Sequence, residues 1–223
     1  MGETAMARFG KCFRPAVVLA AAGLLGACAL ADVAVGPPPS LYVLKAPAPG
    51  PARTASPVAA QIVVEDFVAP AAIDTTRIVF QPGENEIAYY AGARWSDRAP
   101  RMISTLLVET LSRTGKFPAV VGPGATARMD YALVGDIRAF AASRDASAGL
   151  GQGTTKVRVV FYVRLLRARD RSIVASREFS SEAAAPGSGM ANVVAAYDAA
   201  LGAVLADIAG WTLEQSIAAG AGG

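Results

Sequence analysis

Histidine is missing from all 223 residues of the chain. Its absence removes the commonest general base, the usual serine- and cysteine-hydrolase relays and the commonest zinc ligand, so catalysis is an unpromising destination. Cysteine is almost as scarce, with Cys12 and Cys28 the only two. No EF-hand spacing is present, acidic tails are lacking, and neither a basic stripe nor an aromatic-and-basic platform for nucleic acid appears. After the first 27 residues, no apolar run approaches the ~20 residues of a membrane helix.

What is present begins with Leu24-Leu25-Gly26-Ala27-Cys28. Arg8, Lys11 and Arg14 supply a positive n-region, Ala16 to Leu25 an apolar h-region, and Gly26-Ala27 the small residues a peptidase cleft admits. This pattern predicts a lipoprotein signal peptide over 1–27 and a lipid anchor on Cys28. The anchor is N-acyl and S-diacylglycerol, of the class that includes palmitate. Cys12 would leave with the leader and Cys28 would carry lipid on sulfur, so the mature chain has no disulfide to form. About 180 folded residues bury enough core without one.

The same cut changes the charge. The chain has 21 Lys+Arg and 18 Asp+Glu; without Arg8, Lys11, Arg14 and Glu3 the mature part has 18 against 17. The pI near 9.0 is then largely a targeting signal.

Residues 28–40 contain Pro37-Pro38-Pro39 and read as a flexible tether. Leu41-Tyr42-Val43-Leu44 reads as a first strand. Gln61 to Val68, apolar at both parities, reads as a central strand. Arg77 to Phe80 and Glu86 to Tyr90 flank a Pro82-Gly83 turn and read as a hairpin. A helix is predicted from Pro100, capped by Ser96 or Asp97, to Gly115. Ile103, Leu106, Leu107, Thr110, Leu111 and Thr114 form its inner face, and Arg101, Ser104, Glu109 and Arg113 its wet one. Tyr131 to Phe140, Lys156 to Leu166 and Ser172 to Ser181 read as further strands, the middle one alternating most clearly. A second helix spans about Ala191 to Ile217, with Val194, Tyr197, Leu201, Val204, Leu205, Ile208 and Trp211 as its apolar stripe. Residues 218–223 read as a disordered tail. The prediction is therefore a single α+β domain over 41–217, a mostly antiparallel sheet of about six strands with two amphipathic helices packed on it.

Three constellations carry a chemical suggestion. Gly149-Leu150-Gly151-Gln152-Gly153 precedes Lys156, but its spacing fails the phosphate-loop pattern, which leaves a loop with Leu150 at its tip. Glu65, Asp66, Asp130, Asp136, Glu178 and Glu182 lie near strands with no spacing that forces them together. Tyr89, Tyr90, Arg94 and Trp95 precede a helix and combine large contact area with polar tips, so they are the candidate partner-binding residues; packing beneath the helix is their alternative.

At these residues the chain resembles the ABC-type transport auxiliary lipoproteins, the family of paraquat-inducible protein C-like partners of MCE systems. The resemblance runs from about Ser40 to Ile217. It rests on Ile73-Asp74-Thr75-Thr76-Arg77-Ile78-Val79, on Glu86-Ile87-Ala88-Tyr89-Tyr90, on Ala93-Arg94-Trp95, and on the Pro100 to Gly115 helix with Lys116-Phe117. It implies a non-catalytic accessory lipoprotein without cofactor or metal. Its partners would be a mammalian-cell-entry (MCE) substrate-binding protein, an ABC permease and an ATPase that together move lipids between two membranes, and it could form a homo-oligomeric ring. Nucleic acid is not among the partners. Ala29 is not the aspartate that commonly retains lipoproteins in the inner membrane, so the expected location is the outer membrane, facing the periplasm, with the inner membrane as the alternative. A regulator or assembly factor of cell-wall or outer-membrane machinery, and a periplasmic lipid-binding carrier, are the competing functions.

Overall fold

A computed structural model of the chain describes residues 37–48, 57–125, 128–144 and 154–220. Cys28, the tether before residue 37, the glycine run at 149–153 and residues 221–223 lie outside the described residues.

The strands, in chain order, are β1 (Ser40–Tyr42), β2 (Gln61–Val64), β3 (Arg77–Gly83), β4 (Glu86–Trp95), β5 (Ala119–Val121), β6 (Tyr131–Arg144), β7 (Thr155–Arg167) and β8 (Ile173–Ala184). Helix α1 (Ala99–Arg113) joins β4 to β5, and α2 (Met190–Gly220) follows β8. From Pro39 onward the chain is one compact unit.

Strand β6 is the spine of the sheet. One of its edges pairs antiparallel with β7 from Tyr131↔Arg167 to Arg144↔Thr155, and β7 pairs in turn with β8. Its other edge is shared. Near its start β2 runs parallel to it, Ile62 opposite Tyr131, and β5 extends that arm. Near its end β3 runs parallel to it, Phe80 opposite Ala142, and β4 and then β1 extend the second arm. The sheet is thus mixed and has eight strands among the described residues, which corrects the expected mostly antiparallel sheet of about six. The three-residue β5 is too short to carry a pattern, and the parallel pairings join segments far apart in sequence, where no turn announces them.

The hairpin β3–β4 forms as expected, but Pro82 and Gly83 end β3 itself and the turn is Glu84-Asn85, with Gly83 opposite Glu86; β4 then carries a large bulge. Arg77 faces Arg94 and Val79 faces Tyr89, so Ile78 alone spans the length opposite four residues, Tyr90 to Ala93. Gly92 takes a positive φ of 65° inside it, a conformation a side chain would strain.

Helix α1 ends as expected, with Gly115 left-handed at φ 63°. Its start differs: Arg98 is the N-cap and its side chain accepts no helix amide, while Asp97 accepts the Arg98 amide at 2.7 Å. Ser104, expected on the wet face, is fully buried. Its hydroxyl donates to the Glu65 carbonyl at 3.3 Å and accepts the Phe67 amide at 3.1 Å, which fastens the chain leaving β2 to α1.

Every residue of the predicted α2 stripe is buried. Trp211 meets Phe179 of β8 edge-on at 5.5 Å, and Tyr197 meets Trp95 and Phe140 at 5.0 and 4.9 Å. The helix runs three residues past its predicted end. By length and composition it is apolar enough to cross a membrane, contrary to the reading of the sequence, yet 56% of its most apolar window is buried in the fold. Gly202 faces Pro47 with room for a methyl group, since a Cβ there would lie 3.5 Å from the Pro47 ring, an ordinary van der Waals contact.

Candidate functional site

The acids near strands are dispersed, and most have their own partners. Glu65 pairs with Arg171, Asp136 with Arg164, Glu178 with Arg138 and Glu182 with Arg158, while Asp130 accepts the Gln61 amide at 2.8 Å. Among the described residues no group of three or more His, Cys, Asp and Glu side chains could hold a metal ion. Four of these residues form a ladder with Tyr162 on the face of β6–β7–β8 away from α2: the Arg138 guanidinium lies 4.5 Å from the Tyr162 ring centre and that of Arg164 5.5 Å. These pairs are solvated and balance in charge, so they specify the face more than they stabilise it.

The four residues singled out for recognition separate. Trp95 is 1% exposed and belongs to the core, where it packs on Tyr197 and Phe140. Arg94, between buried Ala93 and Trp95, points the other way into solvent. Tyr89 is half-buried beneath the Arg77 guanidinium, 3.4 Å from its ring centre, and its hydroxyl donates to the Ala72 carbonyl at 3.3 Å. Tyr90 lies in the bulge, its ring 5.4 Å from that of Phe80. Periodicity could not separate them, because the bulge resets the alternation between Tyr89 and Arg94.

Tyr90 instead helps line an open pocket of about 690 Å³. It is lined by the bulge of β4, by Tyr42 of β1, by Arg144 and Thr155, and by the turn from Pro186 into α2. Burial pushes the Tyr90 phenol above its ordinary value, and nearby Arg144 pulls it back in part.

Two further features were not singled out from the sequence. Strand β8, 12 residues long, pairs only with β7 among the described residues, so its outer backbone edge is open along its length. On the opposite margin, Leu41 and Val43 are 66% and 61% exposed while Leu44 is buried. The run Leu41-Tyr42-Val43-Leu44 is apolar throughout, so nothing in its pattern separates the outward side chains from the inward one.

Comparison with known proteins agrees with this architecture. A solved structure, protein XCC0632 from Xanthomonas campestris, of family DUF330, is 29% identical, with a TM-score of 0.70 over 81% of this chain and 98% of that one. A second, an uncharacterized protein, shares the fold at 16% identity and a TM-score of 0.58, covering 78% of this chain and 97% of its own. A curated relative, the uncharacterized protein bll6063 of Bradyrhizobium diazoefficiens, is 28% identical over 165 residues, which is 74% of this chain but only 42% of that protein. The model of the ABC-type transport auxiliary lipoprotein component matches residues 42–209, nearly the whole described unit, and the chain belongs to that family.

Proposed function

We propose that this protein is the periplasm-facing accessory lipoprotein of an MCE-type ABC system that moves lipids between the inner and outer membranes. Cys28 carries the lipid that holds it to the outer membrane. The domain docks the MCE substrate-binding protein and performs no chemistry itself; the permease and ATPase supply the passage and the energy. Several copies side by side would form a ring around the transported lipid's path.

The observation that carries this reading is the family match over 42–209. The open edge of β8 offers the means: an extended segment of a partner can add to it as a further strand, with backbone hydrogen bonds giving affinity. Of the residues first chosen for recognition, Tyr90 at the pocket has the partial exposure that a partner contact requires, Arg94 faces solvent, and Trp95 supports them from within.

Affinity purification of the intact, lipidated protein from its own envelope, with mass spectrometry of the bound proteins, tests the assignment. Recovery of an MCE-domain protein with its permease and ATPase is expected. Recovery of a cell-wall synthase or an outer-membrane assembly factor in their place would overturn it. A lipid-carrier reading draws on the pocket beside Tyr42 and Tyr90, and predicts phospholipid co-purifying with the domain.

A further inference from the structure

The outer face of the β1–β4–β3 corner is apolar and cationic at once. Leu41 stands directly opposite Arg94, and Arg94 directly opposite Arg77, so three side chains cross three strands in one row on the same face. Val43 continues the Leu41 side of the chain, and both are more than half exposed. Tyr89 lies under Arg77 with its hydroxyl tied to Ala72, an amphipathic ring beside a guanidinium.

Two arginines placed opposite one another repel, and a soluble fold ordinarily sets a carboxylate between them. Here the acids of the neighbouring turn are engaged elsewhere. Asp74 accepts Arg98 at 2.9 Å, and Asp97 faces Arg101 at 3.4 Å. Among the described residues no carboxylate pairs with Arg77 or Arg94.

We propose that this corner seats the domain on the anionic phospholipid surface to which the protein is tethered. The inference rests on the lipid-anchored reading above. Eleven residues lie between Cys28 and Ser40, so β1 begins at most about 40 Å of extended chain from the anchor. Leu41 and Val43 enter the boundary between headgroups and acyl chains, Arg77 and Arg94 meet lipid phosphates, and Tyr89 sits at headgroup level. The acyl chains on Cys28 retain the protein; the corner fixes its orientation. β8, at the far end of the sheet from β1, takes no part in this contact and is left for a partner.

The test uses the mature chain with Cys28→Ser, so that no attached lipid reports binding, in co-sedimentation with vesicles of phosphatidylglycerol and phosphatidylethanolamine and with vesicles of phosphatidylcholine alone. Binding to the anionic vesicles, weakened by salt, is expected. Arg77→Gln and Arg94→Gln should each reduce it about fivefold, and Leu41→Ser with Val43→Ser on the order of tenfold. All four side chains are exposed, and unchanged thermal unfolding would confirm that each variant is folded. Absence of vesicle binding, equal binding to both vesicle types, or variants that bind like the parent would overturn the proposal. Mass spectrometry of the Cys28 protein reports separately on the anchor: an unmodified cysteine there would sink that reading and leave the vesicle result for the corner to stand or fall by itself.

Discussion

The ring of Phe67 lies against the backbone of Gly135 so closely that a methyl group at Gly135 would come within 2.4 Å of its Cε2. Phe67 is buried and meets Phe161 edge-on at 5.9 Å, so its ring has nowhere to withdraw. The Val68 amide bonds to the Gly135 carbonyl at 2.9 Å and the Ile137 amide to the Val68 carbonyl at 2.8 Å, which fixes both backbones. Gly135→Ala should therefore destabilise the domain by about 1–3 kcal/mol, more than the ~0.4–1 kcal/mol that restricting the unfolded chain returns. Urea unfolding of Gly135→Ala, Phe67→Leu and the double variant measures this. The double variant should lose less than the two single losses together; simple additivity would show that the contact is not the cause.

Tyr197 donates its hydroxyl to the Val79 carbonyl at 2.9 Å from a fully buried position, which ties α2 to β3. Burial pushes its phenol well above the ordinary range, neighbouring Tyr90 adds to the effect, and a hydrogen bond with the Ala142 backbone opposes it. Since the folded protein holds this proton more tightly than the unfolded chain, the associated stability is fully present below about pH 10 and is lost as pH rises beyond it. Tyr197→Phe should cost about 1 kcal/mol at pH 7, and the deficit should shrink as pH passes about 10. Denaturant midpoints at pH 7, 9 and 10.5 would decide; a deficit that stays constant would mean that Tyr197 does not titrate on unfolding.

The β8 edge is the docking surface in the proposed function, and edge strands are commonly protected by charge. Ser176 and Ser180 are exposed along it. Ser176→Lys with Ser180→Lys should leave stability within about 0.5 kcal/mol of the parent and lower recovery of the MCE partner on the order of tenfold by obstructing strand addition. Undiminished recovery from a normally folded variant would direct the search to the Tyr90 pocket.

The parts of the fold that are local in sequence were legible. Both helices, the β3–β4 hairpin and the β6–β7–β8 meander follow from turn residues and periodicity, because each of their contacts is announced by a nearby break in pattern. The parallel joins of β6 to β2 and β3 were not, since Ile62 opposite Tyr131 and Phe80 opposite Ala142 are satisfied only in the assembled sheet. The recognition residues were legible in composition but not in direction. Trp95 and Arg94 face opposite sides of one strand, as adjacent residues must, while the bulge that displaces Tyr90 from Arg94 leaves no mark beyond Gly92. Ser104 shows the same limit: a polar residue on a predicted wet face was buried because the chain beyond β2 needed its hydroxyl.

The shared edge of β6 also imposes an order on assembly. The β5–β2 arm and the β1–β4–β3 arm have no strand pairing with one another, and all of their residues precede Tyr131. A chain emerging from its N-terminus therefore presents two half-sheets that no strand pairing joins, held to one another through α1. Tyr131 to Arg144 is the latch: among the described residues it is the strand that pairs with both arms, so the sheet cannot be completed before it has emerged.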